Sequence, residues 1–231
     1  VAIGLVQQQQ ATVGGTGMGF LDFVLGAAPT NGNMLVCALG CNDDATGPTM
    51  AGTGVTWTRK NYFVGDVSHD NIVLWTGVIG SGAGATQTAT FHVATADCAG
   101  IMAEFSGVQQ VVDGTPPTPT DVSSSTPSVT SNNPSVAGDL AVAFCEQASA
   151  VAPTGTPATW TTLTAATNTR RIDGAWLDLG GSSSAVTPQW TFAASKFALL
   201  EIVLVKATAT SAFIPRQDQI VLNAVRTAAH W

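Results

Sequence analysis

Two glutamates, Glu104 and Glu201, are the residues of this chain best placed to do chemistry. Each interrupts an apolar run, Ala99–Val108 and Phe197–Val205, and the two runs occupy matching places in the two halves of the sequence. A pair of carboxylates held about 5–9 Å apart can serve as acid and as nucleophile or base on a glycosidic bond. The plainer reading is a solvent-facing side chain on an open sheet face, because strand alternation sets Glu104 beside Met102 and Ser106 and opposite Ile101, Ala103 and Phe105. The plainer reading prevails, and no catalytic residue is assigned. Other chemistry is weaker still. Asn42, Asp43 and Asp44 offer oxygen ligands to calcium, but Asn and Asp equally favour turns. His69, His92 and His230 are scattered, and no G-x-S-x-G nucleophile motif occurs. Gly14–Gly19 lacks the spacing of a phosphate-binding loop and reads as a turn. No metal and no cofactor is expected.

The elements that carry these residues repeat. Gly32-Asn33-Met34-Leu35-Val36-Cys37 returns as Gly138-Asp139-Leu140-Ala141-Val142-Ala143. Each is a short apolar run after a turn signal, hence a buried strand. The paired markers Gly32/Gly138, Trp57/Trp160, Trp75/Trp176 and Glu104/Glu201 lie 106, 103, 101 and 97 residues apart. A separation that shrinks while the order holds is what shorter loops in one copy produce. Strands are expected at 33–39, 55–63, 71–79, 86–93 and 99–108, and again over the second half. Short strands between Gly- and Pro-rich turns predict an all-β fold, an antiparallel, jelly-roll-like β-sandwich built from two pseudo-repeated halves. The expected organisation is 1–112 for the first half, 113–137 as a Pro/Ser/Thr-rich linker, 138–206 for the second half and 207–231 as a C-terminal docking arm. Trp57, Trp75, Trp160, Trp176 and Trp190 fall in these strands and read as core or sheet-face packing rather than as a carbohydrate platform.

Composition narrows the partners. Hydrophobic residues make up 45% of the 231 residues and charged residues 10%, with a net charge of −7 and no basic cluster. Nucleic-acid binding needs cations to neutralise phosphate, and is excluded. No apolar run is long enough for a membrane helix. Cys37, Cys41, Cys98 and Cys145 show no C-x-x-C pair, and reduced, buried thiols are expected rather than a disulfide framework. Val1–Leu5 lacks the charged region and cleavage site of a signal peptide and reads as a mature or Met-trimmed end.

The order G-[ND]-x-L-x-V, T-W-T, A-E-[FY]-S-G-V, T-P-S-V-x-T, G-D-L-x-V and a second T-W-T spans about residues 20–206. In this chain it is carried by Gly32–Val36, Thr56–Thr58, Ala103–Val108, Thr126–Thr130, Gly138–Val142 and Thr159–Thr161. It resembles a broad set of phage and bacterial β-sandwich proteins of virion, tail and cell-surface type. The resemblance implies a non-enzymatic structural protein of a phage-like particle, a capsid decoration or a tail or fibre component. Such a protein would be assembled in the host cytoplasm and carried on the particle surface, as a homo-oligomer and with other virion proteins. The alternative is a glycan-binding adhesin or carbohydrate-binding module. Beyond the repeat, Phe213, Ile214, Ile220, Leu222, Val225 and Trp231 give the last segment more apolar surface than water tolerates, so they are expected to dock on a partner.

Overall fold

In the computed structural model, residues 2–42, 47–65, 70–135 and 137–208 are described. The six expected docking residues, Phe213 to Trp231, lie outside the described residues, as do Asp43, Asp44, His69 and His230.

The fold is all-β and antiparallel, with no helix among the described residues. Thirteen strands run in chain order: β1 Gly4–Val24, β2 Met34–Asn42, β3 Thr49–Gly52, β4 Val55–Val64, β5 Asp70–Ile79, β6 Thr86–Ser106, β7 Val108–Val112, β8 Thr120–Ser124, β9 Leu140–Gln147, β10 Thr161–Thr162, β11 Ala166–Thr167, β12 Arg171–Asp178 and β13 Lys196–Ala207. One sheet has the order β1-β6-β2-β5-β4, with β3 also on β6. The other has β10-β12-β9-β13-β7, with β11 on β12 and β8 on β13. β1 to β6 make the first sheet and β7 to β13 the second, so β7, at the end of the expected first half 1–112, crosses to the second sheet, and the repeat is visible in the pairing. The central strands β2 and β9 are each flanked by a β5/β12 and a β6/β13 equivalent. Both are buried at nearly every position, which is why their sequences are apolar runs rather than alternations. Each follows a glycine with positive φ, Gly32 at 93° and Gly138 at 92°, a conformation that side chains disfavour.

The two sheets face each other across one core. Met34, Val36, Ala38, Ile101 and Phe105 meet Leu140, Val142, Phe144, Leu199 and Val203. Phe105 lies edge-on to Trp176, with centroids 5.7 Å apart. Each outer face carries its own cover. Phe23, Leu21 and Phe91 fold over Leu35, Leu39 and Met102 on the first sheet. Trp190, Phe192 and Val129 cover Ala143, Leu200 and Ile202 on the second.

Several local expectations are corrected. Gly14–Gly19 is part of β1, at the point where its pairing with β6 shifts register, so the glycines bend a 21-residue strand. The strands expected at 86–93 and 99–108 are covered mostly by one continuous β6, with β7 starting at Val108. Of the expected linker 113–137, residues 113–135 carry β8 and cover the second sheet: Pro127 O accepts the Trp190 amide at 3.1 Å. Residues 187–192 make isolated bridges, Ser128 with Gln189 and Gly155 with Thr191, in place of a strand.

Candidate functional site

The structure separates the two glutamates. Across β2–β6, Leu35 pairs with Glu104, and across β9–β13, Ala141 pairs with Leu204 and Phe144 with Glu201. Leu35 and Ala141 are equivalent, so the counterpart of Glu104 is Leu204 and that of Glu201 is Ile101. An offset of three residues reverses the face on a strand. Glu104 lies on the outer face of the first sheet and Glu201 on the inner face of the second. Both have no exposed surface, so neither is the solvent-facing side chain expected.

Glu104 is an anchor. Its Oε2 accepts the Gln7 amide at 2.6 Å, and its Oε1 accepts the Thr30 backbone N–H at 2.8 Å and the Asn33 side-chain amide at 2.6 Å. Charge-assisted bonds of this kind fix the crossover from β1 to β2. Glu201 has no hydrogen-bond partner on either oxygen. Burial raises its pKa to about 8, so it is held as the neutral acid between the sheets.

A third buried carboxylate, Glu146, occupies the inner face at the end of β9. It accepts from Arg170 Nη1 at 2.8 Å, and both side chains are almost wholly buried. Gly40, at the equivalent position on β2, makes room for it: a Cβ there would lie 2.0 Å from Glu146 Cγ. Nearby, the Asn168 side chain donates to Val13 O at 2.6 Å, joining the β11–β12 turn to β1.

The expectation of four reduced thiols is corrected. Cys41 and Cys98 are direct partners across β2 and β6 and form a disulfide. Cys37 and Cys145 are free and buried, as expected. Burial raises both thiols well above their usual range, with the Asp173 and Glu146 charges adding to it at Cys145, so neither is a ready nucleophile.

One open cleft of about 390 Å³ lies on the outer face of the first sheet. Pro48, Thr49 and Met50 form one side of it, Trp57, Arg59 and Trp75 line it from β4 and β5, and His92 comes from β6. Trp75 is buried, Trp57 half-buried, and Arg59 and His92 exposed. The Trp57 indole N–H donates to Gln87 Oε1 at 3.0 Å, and Gln87 in turn donates to Gly84 O at 2.7 Å, so the ring orientation is fixed. Arg59 stacks over Tyr62, 5.5 Å from its centroid. The tryptophans read as packing residues in the sequence. What would have exposed the cleft is the parity of Trp57 and Arg59, two apart on one strand, with Trp75 directly opposite Arg59.

A second polar cluster was also missed. Asp113, just past β7, accepts from the Ser135 hydroxyl at 2.5 Å and from the Ser135 amide, and Lys206 Nζ lies 3.4 Å away. Asp139, just before β9, accepts the Ala207 amide on Oδ1 at 3.2 Å, while its Oδ2 is buried with no donor. Burial raises both carboxyls. At Asp113 the Ser135 bonds, a bond from Asp139 and the Lys206 charge overcome it and lower the pKa to about 2. At Asp139 the bond with Asp113 and its negative charge add to burial and raise it to about 6, against the Ala207 amide and Lys206. The Gly138-Asp139 dipeptide read only as a turn signal.

Among the described residues no three His, Cys, Asp or Glu side chains group as metal ligands, and no helix is long and apolar enough to cross a membrane. No protein-family model, curated protein or solved structure matches this chain.

Proposed function

We propose that this chain is a non-enzymatic structural protein of a phage-like particle, a capsid decoration or a tail or fibre component, and that it works by subunit assembly. The observation that carries this reading is the use the fold makes of its buried carboxylates. Glu104 ties down a crossover, Glu146 pairs with Arg170, and Glu201 is neutral inside the core. These groups spend their chemistry on building a rigid body. The apolar residues Phe213, Ile214, Ile220, Leu222, Val225 and Trp231 follow the last strand of a sandwich whose two faces already carry covers. A neighbouring subunit is their natural acceptor. Deleting 212–231 and measuring mass by light scattering tests this. The truncated protein should melt cooperatively as a monomer while the full chain associates. The same number of subunits in both proteins would overturn the reading.

The cleft favours a second reading, binding of a surface glycan. Its half-buried, orientation-locked Trp57 offers a ring face for a sugar, and Thr49, Arg59 and His92 supply polar contacts at the rim. A glycan array on the full chain and on Trp57→Ala separates the readings. Signal lost on substitution supports the cleft, and no signal in either protein rejects it.

A further inference from the structure

The cluster around Asp113 and Asp139 joins three places in the chain. Asp113 ends β7, Ser135 and Asp139 lead into β9, and Lys206 and Ala207 end β13, where the C-terminal segment departs. The amide of Asp113 donates to Leu204 O at 2.9 Å and that of Thr208 to Gly107 O at 2.9 Å, so the root of the segment is held by the same few bonds. Two buried carboxyls bond to each other here, and the Lys206 ammonium lies 3.4 Å from Asp113. Among the described residues, the donors at the cluster reach Asp113 or Asp139 Oδ1. Asp139 Oδ2 is buried without a donor, the Asp113 and Asp139 side chains bond to each other, and two carboxyls can bond only through a proton.

We propose that Asp113 and Asp139 share one proton and form a pH-sensitive clasp on the root of the C-terminal segment, a clasp that loosens when the proton leaves. The proposal rests on the assembly reading, for which it supplies a control. With the proton in place the pair carries one negative charge, matched by Lys206. Without it, two negative charges face one ammonium in a buried site, which is costly. The other charged groups on the packed elements do not offset this. Asp178, at the end of β12, is exposed and accepts the Gly180 amide at 2.9 Å. Asp121 on β8 lies opposite Leu199, at the far part of β13. The raised Asp139 carboxyl sets the direction: its contribution is fully present below the ordinary Asp range and is lost as pH rises through about 6.

The test uses the full chain, wild type and Asp139→Asn. Asparagine keeps the Oδ1 acceptor for Ala207 and gives Asp113 a permanent donor, so it mimics the protonated state. Carbon NMR of the side-chain carboxyls should show Asp139 titrating near pH 6 in the wild type. Asp113→Asn, which removes the like charge, should return that titration to the ordinary Asp range. Hydrogen exchange at the Ala207 and Thr208 amides, corrected for intrinsic rates, should accelerate at least tenfold between pH 5 and 7.5 in the wild type and stay flat in Asp139→Asn. Ordinary titration of Asp139 in the wild type, or the same pH slope in both proteins, would overturn the clasp. Light scattering at both pH values separates the two claims. A titrating clasp in a chain that never associates would count against the assembly reading alone.

Discussion

The two sheets share a strand order and differ in what stands at equivalent positions. On the inner face, β2 has Gly40 where β9 has Glu146, and the missing side chain of one houses the side chain of the other. On β6 and β13 the pairs are Glu104 with Leu204 and Ile101 with Glu201. At one end of the central strands, Cys41 is disulfide-bonded to Cys98, whereas its counterpart Gln147 is buried without a side-chain partner. The covers differ as well: a folded-back pair of long strands on one side, irregular segments bearing Trp190 and Phe192 on the other. The repeat dictates pairing, and the halves have become complementary rather than interchangeable. Complementary halves make one body.

The comparison breaks most readily at Glu201. Its pKa is raised from an ordinary 4.5 to about 8. Its proton is kept in the folded state and lost from the unfolded chain over that window. Stability should therefore fall as pH rises from about 4.5 to 8, by roughly 1.4 kcal/mol per unit, on the order of 4–5 kcal/mol in all. Denaturant melts of wild type and Glu201→Gln as a function of pH should differ by that slope. Parallel curves would mean that Glu201 is not a buried acid.

The disulfide comes next. Cys41→Ser with Cys98→Ser opens a link between residues 57 apart in sequence and should destabilise by about 2–4 kcal/mol. Wild type under reducing conditions should match the double variant, and an unchanged melt in both would show that the two strands need no link. The smallest expected effect, about 1–3 kcal/mol, belongs to Gly40→Ala, which overpacks the Glu146 site. Glu146→Ala should relieve that clash in the double variant, although it exposes Arg170 to its own loss. Strict additivity of the two substitutions would argue against contact between the halves there.

Much of this architecture was legible. The apolar runs after Gly32 and Gly138 gave the central strands, and the marker order gave the repeat. The Trp57/Trp160 match is a true one: both are half-buried on the outer faces, packed against the covers. Trp75 and Trp176 are one residue out of register, which places one under a cover and the other at the inter-sheet core. Glu104 and Glu201 are three out. Marker matching fixes order, but face depends on parity, and strands buried on both sides show no alternation from which to read it. The Cys41–Cys98 pairing needed the same register. The bend at Gly14–Gly19 hid because glycines that curve a long strand look like glycines in a loop. The cleft and the Asp113–Asp139 cluster each join residues from separate elements, and no local motif announces them.

The central claim, that two repeated but complementary halves form one cooperative body, is tested most directly by unfolding the chain while watching both halves at once. Trp75 is buried on the first sheet beneath its cover, and Trp190 is buried in the cover of the second. With fluorotryptophan incorporated, each gives its own fluorine resonance during a denaturant titration. The native signals of Trp75 and Trp190 should vanish at the same midpoint and with the same slope. Separate midpoints, with one sheet persisting after the other has melted, would contradict the account.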